Sequence, residues 1–378
     1  MKMKKSTLLA AAAVLLLASC GKNEVYVPVQ EDIPVGFSNY APRSITKADG
    51  SLVNSGALGA NSKIGVYGYS TADANLASNF TIKPEFMTNA SVTYASTSAT
   101  ATASDPVRYW PKTNTNLLSF FAFYPRESAK ISSKPDANTA GMGTFTFTQA
   151  GTVADMEDFM ISDVANDQYY FATGETENAN GVKANNGVVP LVFNHMLTKV
   201  NFKFCTYANY SPITITVNSA TIAKETLSKT VITPSFTAGA AGTLGATSFG
   251  YVSNTAYGAD IVIPFNTTAP STGLQLSETP AVNNGTGTND VDFLFVPQTL
   301  SDDVKVTITY TINQNGTETV NTATVQLNQI VDTSSNPITE WHINDFVTYT
   351  FVIGLKEIKF TGNVNSWDPV INGSYTIQ

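Results

Sequence analysis

Residues 304–327 read VKVTITYTINQNGTETVNTATVQL, and this stretch decides the class of fold. Val304, Val306, Ile308, Tyr310 and Ile312 alternate with Lys305, Thr307, Thr309 and Thr311, a period of two that gives an extended chain one apolar face and one polar face. Asn315-Gly316 marks a tight turn, and Ala323, Val325 and Leu327 carry the alternation back as the second arm of a hairpin. The same period recurs at Val189-Leu191-Phe193, Val200-Phe202-Phe204, Ile213-Ile215-Val217 and Val347-Tyr349-Phe351-Ile353, while Phe145 and Phe147 alternate with threonine. Leu118 to Tyr124 is an apolar run suited to a strand in the core. Past the N-terminal Leu/Ala run no long window shows a helical stripe, so short strands joined by polar turns predict an all-β protein built of β-sandwiches.

At about 150 residues per domain, 378 residues suggest two domains. The chain is 43% hydrophobic but only 13% charged, against a usual share of about 25%, and threonine, serine and asparagine fill the difference, as on exposed strand faces. A net charge of -8 argues against nucleic acid as a partner, since displacing counterions needs a basic face. Two cysteines and two histidines argue against a disulfide framework and a structural zinc site.

The N-terminus reads as an export signal. Lys2, Lys4 and Lys5 precede the apolar run Leu8–Ala18, which is well short of the roughly 20 residues needed to span a bilayer. The run ends in Leu17-Ala18-Ser19-Cys20-Gly21, a pattern like a bacterial lipobox, in which the cysteine is acylated and becomes the mature N-terminus. Cys20 is therefore the expected lipidation site, giving an anchor (palmitate among its acyl chains) without a spanning helix. Cys205 sits in an apolar strand pattern and reads as a small buried hydrophobe.

Residues 174–187 are rich in Asn, Gly and Glu and read as an exposed loop or interdomain linker. Residues 88–104, a Ser/Thr/Ala stretch, read as a long surface loop. Residues 21–47 are sparse and carry Pro28, Pro34 and Pro42, yet contain the alternation Ile33-Val35-Phe37.

Chemistry-bearing clusters are few. His195, inside the core-like run Phe193-Asn194-His195-Met196, is expected to be structural, and His342 has no clustered ligands around it in sequence. Asp155, Glu157 and Asp158 lack the spacing of a calcium loop and read as a solvated loop. Trp110, Trp341 and Trp367 adjoin apolar strands and are expected in cores rather than as sugar platforms. No nucleophile elbow, phosphate-binding glycine loop or paired-cysteine motif is present, so the expectation is a protein that is not an enzyme, with no metal and no cofactor.

Four segments, in order, resemble the fimbrillin-like family of type V pilus subunits and tip proteins. They are Arg108-Tyr109-Trp110-Pro111 with Leu118 to Pro125; Asp158-Phe159-Met160 with Val189 to Val200; Phe293 to Leu300; and Trp341 to Phe351 with Ile358-Lys359-Phe360 and Val364-Asn365-Ser366-Trp367. The resemblance implies two tandem transthyretin-like β-sandwich domains behind a signal peptide and pro-segment. The corresponding division is a lipoprotein signal peptide at 1–19, a pro-segment at 20–47, an N-terminal sandwich at 48–185 and a C-terminal sandwich at 186–378. It also implies export to the outer membrane, removal of the leader by a trypsin-like protease, and assembly by donor-strand exchange at the cell surface. In that scheme Ile33, Val35 and Phe37 form the pro-strand, Lys47 or Arg43 is the cleavage site, and Tyr375 and Ile377 are the candidate donor strand. Only eleven residues follow Trp367, which leaves stalk and tip positions both open. The partners implied are other pilus subunits and the membrane, with a surface receptor left open. The alternative is a surface-exposed carbohydrate-binding lipoprotein using exposed aromatics. Substituting Cys20→Ala is expected to shift the protein out of the membrane fraction or block its processing; unchanged fractionation on cell lysis and unchanged mobility on a gel would refute the anchor.

Overall fold

The computed structural model describes residues 32–40, 58–71, 82–94, 100–105, 107–113, 115–171, 177–223, 227–232, 255–265, 273–278, 281–282, 292–355 and 358–367. Regular structure among them is β-strand, with short 3-10 turns such as Val153–Asp155 and Leu327–Gln329. Cys20, Arg43, Lys47, Tyr375 and Ile377 lie outside the described residues.

In the N-terminal half, seven strands pair in a closed ring. Leu117–Tyr124 pairs with Lys63–Thr71, then Met87–Thr93, Thr100–Asp105, Gly36–Tyr40, Val188–His195 and Met160–Ser162 follow, and Met160–Ser162 returns to Leu117–Tyr124 through Phe123↔Ile161. The interior is apolar, filled by Ile64, Val66, Val92, Leu118, Phe120, Val189, Leu191 and Phe193. Ala165–Tyr169 pairs along the remainder of the outer edge of Leu117–Tyr124, and Val182–Lys183 adds to it.

Leu117–Tyr124 is apolar but for Ser119, whose hydroxyl accepts from Asp167 N (2.9 Å), because both of its faces are covered. Leu118, Phe120 and Ala122 face the ring interior, whereas Phe121 and Phe123 belong to a second core with Tyr67 and Tyr69. Tyr67 stacks on Phe121 with ring centroids 4.9 Å apart, and Phe145 closes over the pair edge-on.

The stretch 88–104, expected as a surface loop, instead supplies two staves of the ring, Met87–Thr93 and Thr100–Asp105. Its small residues misled the compositional reading. Ala90 is buried and Ala101 packs against the interior, where larger side chains would crowd the facing strands.

The C-terminal half is a sandwich. One sheet runs Thr198–Cys205, Asp345–Ile353 and Ile358–Ser366, with Phe293–Phe295 on the opposite edge of Thr198–Cys205. The other runs Thr214–Ile222, Lys305–Gln314 and Thr317–Gln326. The hairpin turn is where the sequence puts it: Asn315 and Gly316 have φ of 54° and 85°, the left-handed pair that a two-residue turn requires. Sheet pairing changes hands after Val188–His195, which bonds to strands preceding it, so the division at 185/186 falls one strand earlier than the change of partners.

The two halves share one core. Thr230–Ile232 crosses over to pair with Thr146–Thr148. Phe145, Phe147 and Phe159 join the same apolar cluster as Phe202, Tyr349 and Trp341. Gln149, buried at this seam, donates from Nε2 to the carbonyls of Glu157 (2.9 Å) and Leu294 (3.0 Å), while its Oε1 accepts from Glu157 N (3.1 Å). A buried amide bonded on both ends costs little to bury and fixes the seam geometrically.

Four buried tyrosines make the fold sensitive to alkali. Tyr67 and Tyr69 donate to the carbonyls of Pro135 (2.9 Å) and Gly141 (2.6 Å), and the Tyr349 hydroxyl accepts from Trp341 Nε1 (2.9 Å). Burial, above every other influence, holds the phenols of Tyr67, Tyr69, Tyr257 and Tyr349 well above their ordinary range. Above about pH 10 the unfolded chain releases these protons and the folded chain keeps them, so the stability present below that pH falls as pH rises, by up to about 1.4 kcal/mol per pH unit per tyrosine. Melting temperature is therefore expected to be level to about pH 9 and to drop steeply beyond pH 10, with a shallower drop in Tyr69→Phe; an unchanged profile in that variant would refute the assignment.

Candidate functional site

The strand Gly36–Tyr40 is the feature that ordinary domain anatomy does not explain. It lies before the first strand of the contiguous fold, separated from Leu58 by residues 41–57, yet it is an interior stave of the ring. It runs parallel to Val188–His195, in register from Gly36↔Val188 to Tyr40↔Val192, and antiparallel to Thr100–Asp105.

Two of the three expected pro-strand residues are fully enclosed. Val35 and Phe37 are 0% exposed, and Ile33 packs half-buried against the same cluster. Phe37 meets Phe120 edge-on at 5.3 Å. Just ahead of the strand, Val35 N donates to the Arg108 carbonyl (2.9 Å) and Trp110 N donates to the Ile33 carbonyl (2.9 Å), so 33–35 pairs with the Arg108-Tyr109-Trp110 segment. The period of two in Ile33-Val35-Phe37 reports a single inward face.

One carbonyl organises the entry of this strand. Gly187 O accepts from Gly36 N (3.0 Å) and from Trp110 Nε1 (2.9 Å). It is presented by the turn Asn185–Val188, in which Asn186 and Gly187 have φ of 51° and 75°. A side chain at Gly187 would be strained by that φ, and its Cβ would sit 3.2 Å from both Ile33 Cγ2 and Trp110 Nε1. Neither Gly187 nor the docking role of Trp110 was evident from sequence. The signal was there in Asn185-Asn186-Gly187, a turn signature read only as linker composition.

The remaining candidates are structural. His195 is fully buried, with Nδ1 2.8 Å from Asp158 Oδ2 and its ring stacked on Trp367 at 3.8 Å. Lys199 lies 3.3 Å from Asp292, 4.3 Å from the Phe346 ring centroid and 5.5 Å from that of Trp367, so the indole joins a histidine from the ring to a lysine from the sandwich. The reading of Asp155, Glu157 and Asp158 as a solvated loop holds for Asp155, which is exposed, and is corrected for the other two: Asp158 is 2% exposed, and Glu157 takes Lys130 (2.7 Å) and the Ser128 hydroxyl. Trp110, Trp341 and Trp367 are buried as expected. Among the described residues no group of three or more His, Cys, Asp or Glu is placed to hold a metal ion.

Gly36–Tyr40 is hydrogen-bonded on both of its edges. Taking Gly36–Tyr40 away would open the ring, bare the Val35 and Phe37 sites, and leave hydrogen-bonding edges on Val188–His195 and Thr100–Asp105. Burial of the two side chains contributes about 1.5–3 kcal/mol each before ordering costs.

A family model described as fimbrillin-like matches residues 46–367. Among solved structures, the chain is similar to a fimbrial protein of Bacteroides vulgatus, with 18% identity, a TM-score of 0.59, and coverage of 88% of this chain and 99% of that one. It is also similar to a protein of Bacteroides ovatus assigned to cell adhesion, with 14% identity, a TM-score of 0.47, and coverage of 91% and 100%. No match was found among curated protein sequences. In the uncut chain, Phe37→Ala is expected to cost about 3–5 kcal/mol in urea unfolding; a loss within the error of the parent's midpoint would mean that the strand is not part of the folded core.

Proposed function

Because this chain belongs to the fimbrillin-like family, we propose that it is a structural or adhesive pilus subunit, carried to the outer membrane as a lipoprotein on Cys20 and held assembly-incompetent by its own leader strand. The observation that carries the reading is the closed ring with Gly36–Tyr40 as a stave and Val35 and Phe37 sealed inside. A bound leader satisfies a groove that would otherwise expose apolar area and unpaired backbone groups. The family match begins at residue 46, so the leader strand lies outside the matched region.

Cleavage after Arg43 or Lys47 falls between the leader strand and the next described residues. Its effect is on concentration rather than on contacts. While tethered, the leader faces its groove at an effective concentration of the order of millimolar; once cut, a leader that leaves is diluted to the bulk and rebinds rarely. A strand from a neighbouring subunit then occupies the place, parallel to Val188–His195, repeating the same backbone bonds and apolar contacts. Exchange of this kind is close to even in contact energy, and the cut gives it direction. In this chain Tyr375 and Ile377 are the candidate donor residues. The family is one of assembly and adhesion, so the reading contains no catalytic step.

Limited trypsin digestion with light scattering tests this reading. The parent is expected to stay monomeric until cut, to retain the leader at first, and to form oligomers as the leader is lost. Val35→Asp puts a carboxylate against the apolar interior and is expected to release the leader sooner and hasten assembly. A cut protein that loses its leader and remains monomeric at high concentration would overturn strand exchange.

A further inference from the structure

Thr317–Gln326 is the outer edge of the sheet that runs Thr214–Ile222, Lys305–Gln314 and Thr317–Gln326. A sheet edge exposes a row of unpaired N–H and C=O groups, and proteins blunt it by shortness, by lysine or proline, by a bulge or by a cover. Other edges among the described residues follow that rule. Ile261–Val262, Leu274–Gln275 and Ala281–Val282 are two residues long, and Val182–Lys183 is as short and carries a lysine. Ile358–Ser366 carries Lys359 and is bonded on its outer side, where Gly362 N donates to the Val331 carbonyl (2.8 Å). Thr317–Gln326 has none of these devices. It is ten residues long, reads TETVNTATVQ, and keeps an unbroken register from Lys305↔Gln326 to Gln314↔Thr317. Its Val320, at 65%, is the most exposed large apolar side chain among the described residues.

We propose that this edge pairs with the same edge of a second copy of the chain, antiparallel, about a two-fold axis at Thr322. The register follows from which peptide groups are free. Leu327 N donates to the Val304 carbonyl (2.9 Å), and a two-residue turn makes Gln314 and Thr317 a hydrogen-bonded pair. Odd-numbered residues of the strand therefore bond inward, to Lys305–Gln314. Glu318, Val320, Thr322, Thr324 and Gln326 point their N–H and C=O groups away from the sheet, and that row is symmetric about Thr322. Antiparallel self-pairing there matches Glu318 with Gln326, Val320 with Thr324 and Thr322 with its own mate, and so satisfies every outward group of the row.

The occupant is a second copy because the row is its own complement. Glu318 is the one charged residue of the strand. Antiparallel pairing sets it against a neutral glutamine, whereas parallel in-register pairing would set two carboxylates side by side. Opposite residues of an antiparallel pair share a face, so the exposed Val320 side chain lies beside the methyl of Thr324 of the second copy. Each chain carries a net charge of -8, and Gln326 Nε2 donates to the Asp302 carbonyl (2.9 Å) at the end where Glu318 of the second copy arrives. Screening by salt is therefore expected to tighten the contact.

Ten residues a side is small beside the roughly 20–30 of a standard interface, so the contact is weak between free chains and leaves the uncut protein monomeric in dilute solution. It gains strength where copies are arrayed side by side and many such edges act together. Neither Gly36–Tyr40 nor its neighbours in the ring take part, so the contact stands whether or not strands are exchanged.

Cysteine trapping tests this on the full, uncut chain carrying Cys20→Ala, in which the remaining Cys205 is buried. In the proposed register the two Thr322 Cα atoms lie about 5.5 Å apart, within disulfide reach, while Val320 and its own mate are offset by about 13 Å along the strands. Under mild oxidation at millimolar protein, Thr322→Cys is expected to form dimers about tenfold faster than Val320→Cys or Thr324→Cys alone. It should also outpace Val262→Cys, at an exposed valine on the opposite edge of the sheet. Mixing Val320→Cys with Thr324→Cys should give the mixed dimer. Val320→Pro removes an outward N–H and no bond of the hairpin; added to Thr322→Cys it should cut trapping about tenfold and leave the melting temperature unchanged. A TETVNTATVQ peptide should compete, and a peptide of the same composition in scrambled order should not. The proposal is overturned if Thr322→Cys is no faster than Val262→Cys, if Val320→Cys or Thr324→Cys alone is as fast, or if Val320→Pro leaves trapping as it was. Equal competition by the scrambled peptide would also overturn it, since the edge would then take any extended chain.

Discussion

The pairing of Gly36–Tyr40 with Val188–His195 is the interaction on which the N-terminal half depends. A ring of strands has no edges, and edges are where a sheet exposes unpaired N–H and C=O groups. Here the ring is closed by a segment from outside the contiguous fold, held by five residues in parallel register on one side and three in antiparallel register on the other. The interior is complementary to that segment: Phe37 fills the space beside Phe120, and Gly187 is bare of a side chain where Ile33 and Trp110 approach. The strand is thus separate from the contiguous fold in sequence and central to the ring in space, and it contributes backbone bonds on both edges together with the enclosed side chain of Phe37.

The C-terminal half is coupled to that ring through the same strand. Val188–His195 bonds to Gly36–Tyr40 along its first residues and ends in His195, which stacks on Trp367 and contacts Asp158. A buried ion pair such as Lys199–Asp292 adds little net stability, since desolvation offsets the attraction, but removing one partner leaves a charge stranded and is costly. The His195–Asp158 contact lies within the ring and Lys199–Asp292 within the sandwich, and the Trp367 indole stacked on His195 is what bridges the halves. Apolar packing does the strengthening, in a core that runs without interruption from Tyr67 to Phe351.

Much of this was legible in the sequence, for a physical reason. A side-chain period of two is a local consequence of extended backbone, so Lys305–Gln314, Thr317–Gln326 and Asp345–Ile353 could be read one by one, and so could the inward face of Ile33, Val35 and Phe37. Where the reading failed, the local signal was weak and the deciding partner distant. Residues 88–104 lack large apolar side chains, and they are strands because Lys63–Thr71 and Gly36–Tyr40 flank them. Asp158 reads as solvated until His195 is brought against it from 37 positions away.

The amino-acid sequence by itself determined the all-β class, the hairpin at Asn315-Gly316, the burial of the tryptophans set beside apolar strands, and the existence of a strand-like segment in the otherwise sparse stretch 21–47. Those properties depend on neighbours within a few residues along the chain. Only the tertiary structure decided that Gly36–Tyr40 closes a ring, that it lies parallel to Val188–His195, that Gly187 O receives both Gly36 and Trp110, and that one core joins the two halves. Strand order and register are set by which apolar faces and unpaired edges meet across long loops, and alternation along a strand, which states only that a face is buried, carries no record of what buries it.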